Sequence, residues 1–294
     1  MPTNRTALTD LGSAKYLGFA GGLYPNGKNS PPSPYQDAGI RSGSAVEPVD
    51  RDGKPSTSGK IVLLSIGMSN ASQEFTEFIR LTGSHPQKNR SLVLIDAARD
   101  GAAATDIALP FGDYWTHVEG QLQRSQISPG QVQVIWLKTA LARERRSFPE
   151  HARLLQRALR SIVEILETKF PQLKLVYVSS RTYGGYSKSD LSPEPTAYES
   201  GFAVKWLIEE RINNANPDSW RPWLSWGPYL WADGMTPRGD GLSWEQTDFE
   251  PDGVHTSAQG ALKVAARLLE FFENNPTAQE WFFSRATGHF AETE

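Results

Sequence analysis

The stretch "IVLLSIGMSN", Ile61 to Asn70, decides how this chain is read. Apolar residues fill successive rather than alternate positions, the mark of a strand covered on both faces in a parallel sheet. The run stops at Gly-Met-Ser-Asn, and a helical pattern follows. Two readings fit that stop. Ser69 and Asn70 cap a helix, with "NASQ" (70–73) as a capping box. Alternatively, Ser69 is a nucleophilic hydroxyl presented at the sheet edge. The readings are compatible, because a helix N-terminus also stabilises developing negative charge.

Working outward, strand-length apolar runs occur at "KIVLLSI" (60–66), "SLVLID" (91–96), "QVQVIWL" (131–137), "LKLVYVSS" (173–180) and "PWLSWGPY" (222–229). Helical patterns lie between and after them. Residues 148–170 put Leu155, Ala158, Leu159, Ile162, Val163 and Leu166 on one stripe, and residues 257–275 do the same with Ala261, Ala265, Leu268, Leu269 and Phe272. Residues 112–125 and 197–212 also read as helices. Strand alternating with helix implies right-handed crossovers and an α/β protein, a three-layer α/β/α sandwich. Residues 60–294 are read as one domain.

Residues 1–59 are rich in Gly, Pro, Ser and Asn. "GGLYPNGKNSPPSPYQDAGI" (21–40) is not expected to hold a helix, since proline removes donors and glycine costs order. The segment reads as an irregular arm packed on the body through Tyr16, Leu17, Phe19, Leu23 and Tyr24.

The chain's 294 residues suffice for a sizeable core. A net charge of −3 without a basic stripe does not favour nucleic acid or an anionic membrane. "LARERRSFPE" (141–150) mixes both signs and reads as solvated surface. The absence of cysteine excludes disulfides, thiol catalysis and thiolate metal sites, and leaves the compartment open. No run approaches the ~20 apolar residues of a membrane span. The first residues lack a continuous apolar core, so no signal peptide is expected there. Oligomeric state is not legible.

In open α/β sheets, functional groups gather outside the carboxyl ends of the strands. Those ends carry Gly67 to Asn70, then Gly101 within "DAARDGAAATD", then Lys138 and Thr139, then Ser180 to Gly184. A long loop after the fifth strand ends in "DGVHTS", with Asp252 three residues before His255 and Ser257 as the expected cap of the last long helix. A serine hydroxyl is a weak nucleophile until a base lies within hydrogen-bond reach, and the base needs a partner to hold its tautomer. A D-x-x-H step on one turn can supply both, and a turn followed by a surface histidine is the plainer reading of Asp252 and His255.

"IGMSN" after the first strand and "DGVHTSAQG" before the last helix resemble the first and last sequence blocks of the SGNH (GDSL-type) hydrolases, and Gly101 falls where that family's second-block glycine would. The similarity spans residues 60–275. It implies a flavodoxin-like parallel five-stranded sheet of order 2-1-3-4-5, and ester hydrolysis through an acyl-enzyme without cofactor or metal. Ser69 would be nucleophile, His255 general base and Asp252 its orienter. The N–H groups of Ser69 and Gly101 would form part of the oxyanion hole. Two departures stand out. The family's GDSx is GMSN here, and its third-block asparagine, the remaining oxyanion donor, is missing from "VIWLKTALARE" (134–144). Losing one such donor costs about 10²–10³ in rate. Lys138 and Asn70 are the candidate replacements, Lys138 slightly ahead on position.

Other residues have plainer readings. His85, His117, His151 and His289 read as surface or packing. Asp233, Asp240, Asp248, Glu250 and Asp252 lack calcium-loop spacing. "GGYS" and "GAAATD" lack the lysine of a phosphate loop. Trp206, Trp220, Trp223, Trp226 and Trp281 read as packing. Trp231 and Trp244, in the loop carrying Asp252 and His255, are candidates for stacking on a substrate sugar or acyl group. Arg181 and Tyr183 are candidates for orienting substrate, with a structural ion pair as the competing reading for Arg181. The expected substrate is a short acyl ester, such as acetyl, on a small molecule or glycan. The alternatives are a carbohydrate-binding or scaffold protein on the same fold, and a metal-dependent phosphodiesterase.

Overall fold

The computed structural model describes residues 3–214 and 221–284. Trp220 and His289 lie outside the described residues. Five strands form one parallel sheet: β1 (Ile61–Gly67), β2 (Leu92–Asp96), β3 (Val132–Lys138), β4 (Leu175–Ser179) and β5 (Trp223–Trp226). Their order is β2-β1-β3-β4-β5, and every neighbouring pair is parallel. β1, β3, β4 and β5 are buried along their whole length, which is why their sequences show no alternation.

Six helices of two turns or more flank the sheet among the described residues: α1 (Ser33–Ser44), α2 (Ser69–Gly83), α3 (Asp113–Arg124), α4 (Glu150–Lys169), α5 (Thr196–Asn213) and α6 (Ala258–Asn274). The α2 helix packs against α6, and α4 against α5. Phe75 of α2 stacks on Trp136 of β3 at 5.7 Å, and Phe78 meets Phe272 of α6 at 5.6 Å. Truncating such a buried ring costs about 3–5 kcal/mol. The apolar stripe of α4 is buried as its periodicity predicts. Among the described residues, no helix is long and apolar enough to cross a membrane.

The arm corrects one expectation. Residues 33–44 are the helix α1, although they lie partly in the stretch expected to exclude one. Pro34 falls in the first turn, where a missing N–H breaks no helical bond. Gly39 abuts the Trp223 indole so closely that a Cβ would come within 2.4 Å of the ring. Tertiary burial thus overrides the weak propensity of the segment. Leu23, Tyr24 and Tyr35 are buried, whereas Leu17 is 67% exposed and does not anchor the arm. The arm covers the edge strand β5. Trp226 donates to Leu23 O at 2.7 Å, Trp223 donates to Tyr35 O at 2.9 Å, and Tyr35 donates to Leu224 O at 2.7 Å. Covering an exposed edge in this way prevents its pairing with another chain.

Candidate active site

The turn after β1 delivers Ser69 as the first residue of α2. Met68 is the N-cap and makes no side-chain cap bond, so Asn70 lies inside the first turn and the capping-box reading of "NASQ" does not hold. The turn is strapped to the neighbouring strand end. Gly67 N–H donates to Tyr114 Oη at 2.9 Å, Tyr114 donates to Ala97 O at 3.1 Å, and Arg99 N–H donates to Gly67 O at 3.0 Å. This holds the Gly101 loop beside Ser69. Gly101 has φ +76°, a left-handed conformation that favours glycine.

Folding brings the late loop to the same place. Ser69 Oγ lies 2.8 Å from His255 Nε2, and His255 Nδ1 lies 2.5 Å from Asp252 Oδ2. The "DGVH" turn is organised around one carboxylate oxygen, since Asp252 Oδ1 accepts from Val254 N–H at 2.9 Å and His255 N–H at 3.0 Å. Burial raises the Asp252 carboxyl, but the bonds from Val254 N–H and from the ring and N–H of His255 outweigh it, leaving Asp252 below its ordinary range. Gly253 is required between them. Its φ is +68°, and a Cβ there would lie 1.8 Å from Tyr186 O. Ser257 caps α6 as expected, accepting from Gly260 N–H at 3.3 Å.

Asn70 is buried and ties the two halves together. Its Nδ2 donates to Val254 O at 2.8 Å, and its Oδ1 accepts from Arg181 Nη1 at 3.0 Å. These partners settle which end of the amide is which. The second N–H of Nδ2 has no partner among the described residues. Ser69, Asn70, Gly101, Arg181 and His255 all border one cavity of about 340 Å³.

Four expectations are corrected here. Lys138 is fully buried and turned toward α2, where its Nζ sits 2.5 Å from both oxygens of Glu74. Burial pulls the ammonium down to about 8 and pushes Glu74 up, and each charge is the main counterweight to the other's shift. An ammonium committed to that carboxylate cannot serve an oxyanion at Ser69. Tyr183 is fully buried against Tyr186 and Trp231 and does not border the cavity. Trp231 and Trp244 are both 0% exposed, their indole N–H groups given to Glu194 Oε1 at 2.7 Å and Leu230 O at 2.8 Å. Neither ring has a free face for a sugar.

Arg181 borders the cavity but is 2% exposed, and its Nε has no hydrogen-bond partner among the described residues. Burial lowers its pKa, against the opposing pull of Glu74, Glu194 and Asp252. Glu74 escaped the sequence reading although a signal existed. It is a carboxylate on the buried stripe of α2, between Ala71 and Phe78, and a charge at a core position requires a partner. Three other acidic residues of the loop are also engaged. Asp233 accepts from Thr3 N–H at 2.7 Å, Asp240 from Arg238 Nε at 2.7 Å, and Asp248 from Lys263.

No protein-family model and no curated protein matches the chain. Among solved structures, the chain is similar to a carbohydrate esterase of family 3 from Talaromyces cellulolyticus, with 13% identity, 71% of this chain and 94% of that one covered, and a TM-score of 0.43. It is also similar to a mutant acetyl-xylooligosaccharide esterase from Geobacillus, with 16% identity, 76% and 97% covered, and a TM-score of 0.43. A third is the C-terminal catalytic domain of a Streptococcus pneumoniae peptidoglycan O-acetyltransferase, with 14% identity, 75% and 96% covered, and a TM-score of 0.38. At these identities and TM-scores, the chemistry of the site rests on this chain's own residues.

Proposed function

We propose that the chain is a serine ester hydrolase working through an acyl-enzyme. The observation that carries this reading is the 2.8 Å contact of Ser69 Oγ with His255 Nε2, backed by Asp252 on the other ring nitrogen. In the proposed reaction, Ser69 Oγ bonds to the ester carbonyl carbon as its proton passes to His255 Nε2. The former carbonyl oxygen takes the negative charge. Collapse of the tetrahedral adduct breaks the C–O bond to the alcohol, whose oxygen receives the proton from His255. Water then adds to the acyl carbon, giving its proton to His255. The acid departs and the proton returns to Ser69 Oγ. Asp252 stays ionised throughout, holds the imidazole tautomer and stabilises the imidazolium.

The oxyanion would be met by the N–H groups of Ser69 and Gly101 at the positive end of α2. Asn70 Nδ2, with one N–H given to Val254 and one left, is assigned the place of the third donor. Lys138 has no part in it. The burial of Trp231 and Trp244 withdraws the aromatic argument for a sugar alcohol.

Labelling with a small fluorophosphonate tests the reading directly. The wild-type protein should gain one adduct, mapped by peptide mass to Ser69, and Ser69→Ala should gain none. Hydrolysis of p-nitrophenyl esters by that variant should drop about 10⁴-fold or more in kcat. A wild-type protein that takes no label and turns over no ester is not this enzyme, and a binding role on the same fold replaces it.

A further inference from the structure

The cavity beside Ser69 has a chemical bias of its own. Its walls include Met68, Ala102, Ala103, Ala140, Leu141 and Leu191. Ala140 and Leu141 come from the loop after β3, where the resemblance would have placed a polar donor and this chain places apolar side chains instead. The wall is fixed in place. Ala104 N–H donates to Ala140 O at 2.9 Å, and Ser192 Oγ donates to Leu141 O at 2.7 Å, which ties the Leu191 segment to the β3 loop.

Size sharpens the point. The cavity holds about 340 Å³. A methylene occupies about the 30 Å³ of a water, so the space exceeds what a two-carbon acyl group needs several-fold. The cavity is open to solvent and exceeds what an acetyl group fills, and the walls beyond Ser69 and His255 are mostly apolar. A second observation lies next to it. The loop leading away from Ala102 and Ala103 carries Leu109, 57% exposed, and Phe111, 99% exposed. Leu109 lines a hollow that shares Asp100, Gly101 and Ala102 with the Ser69 cavity and is also bordered by Arg99, Asp106 and Asp113. One exposed apolar side chain, Leu109, thus lies near the mouth of the cavity.

We propose that the cavity is an acyl-chain site and that the preferred substrates are esters of unbranched fatty acids of about four to eight carbons, not acetate esters. This rests on Ser69 as the nucleophile. The carbonyl would sit at Ser69 and Gly101, with the chain running along Ala140, Leu141 and Leu191.

The test uses the purified full chain with p-nitrophenyl acetate, butyrate, hexanoate, octanoate and laurate below their aggregation limits. The kcat/KM should rise about four-fold for each methylene buried, reach its maximum at hexanoate or octanoate, and stop rising by laurate. Filling the chamber with Leu191→Trp, or with Ala142→Trp on its exposed rim, should cut the octanoate-to-acetate ratio at least ten-fold. Two positions are used so that one misfolded variant does not decide the matter. Equal or highest kcat/KM for acetate, with Ser69 labelled by the fluorophosphonate, overturns the acyl-chain site and leaves the hydrolase intact. No label and no turnover on any ester overturns both.

Discussion

Arg181 and Asn70 stand 111 residues apart in the chain, yet Arg181 Nη1 reaches Asn70 Oδ1 across 3.0 Å inside the protein. The same amide grips Val254 O, the carbonyl next to His255. This chain of bonds predicts that the guanidinium helps position His255 against the helix that begins with Ser69, acting through Asn70. Arg181→Met leaves Asn70 Oδ1 buried and unpaired, which costs about 1–3 kcal/mol. We expect kcat to fall about 10- to 100-fold with KM nearly unchanged, because the pocket walls stay and the Ser69–His255 alignment loosens. Arg181→Lys should recover part of kcat. A change confined to KM would show that Arg181 acts on substrate binding instead.

The buried pair Lys138 and Glu74 makes a separate prediction. Removing one partner strands a charge in the core, so Lys138→Met alone should cost about 3–5 kcal/mol in urea unfolding. The double variant Lys138→Met with Glu74→Leu should recover most of that loss, the signature of coupling between the two sites. If Lys138 fed the oxyanion, the refolded double variant would lose about 10²–10³ in kcat. The geometry predicts a loss of less than ten-fold.

Asp252 gives a pH dependence. Its folded-state pKa lies below the ordinary 3.8, so its ionised contacts contribute stability above that value and lose it as pH falls through the folded pKa. Asp252→Asn lacks the contribution at every pH. The difference in Tm between wild type and variant should therefore be largest near neutrality and close on acidification below about 3.8. At neutral pH the variant's kcat should also fall by about 10⁴, because the imidazole tautomer is no longer held. A Tm difference that persists unchanged on acidification would show that the His255 contact does not depend on the carboxylate charge.

Two glycines separate strain from collision. Gly101→Ala meets no atom within 4 Å and pays only for the left-handed conformation, about 1–2 kcal/mol. Gly253→Ala would drive a methyl to 1.8 Å from Tyr186 O and must displace the Asp252–His255 turn. Thermal melts should show a clearly larger Tm loss for Gly253→Ala. Both variants should lower kcat, Gly101→Ala through its reoriented N–H. Equal Tm losses would mean that the turn shifts freely.

The sheet and its helices were legible because strand and helix patterns are local. The continuous apolar runs end within a few residues of β1 to β5, and the stripe of α4 is visible in its spacing alone. Ser69, Asp252 and His255 stood out as candidates because each lies where a patterned element ends or begins, and Gly101 through the resemblance, but only folding brings Ser69 Oγ to His255 Nε2. Which way a side chain turns at such an end is not local. Lys138 faces a carboxylate 64 residues away, and nothing in "VIWLKTALARE" announces Glu74. Trp231 and Trp244 lie in an irregular loop that carries no burial pattern, and only packing encloses them. Residues 33–44 became a helix because Trp223, from the far end of the chain, has its ring against Gly39. Periodicity determines what an element is and where it stops. Burial and charge pairing are settled by contacts between distant segments, and those exist only once the chain has folded.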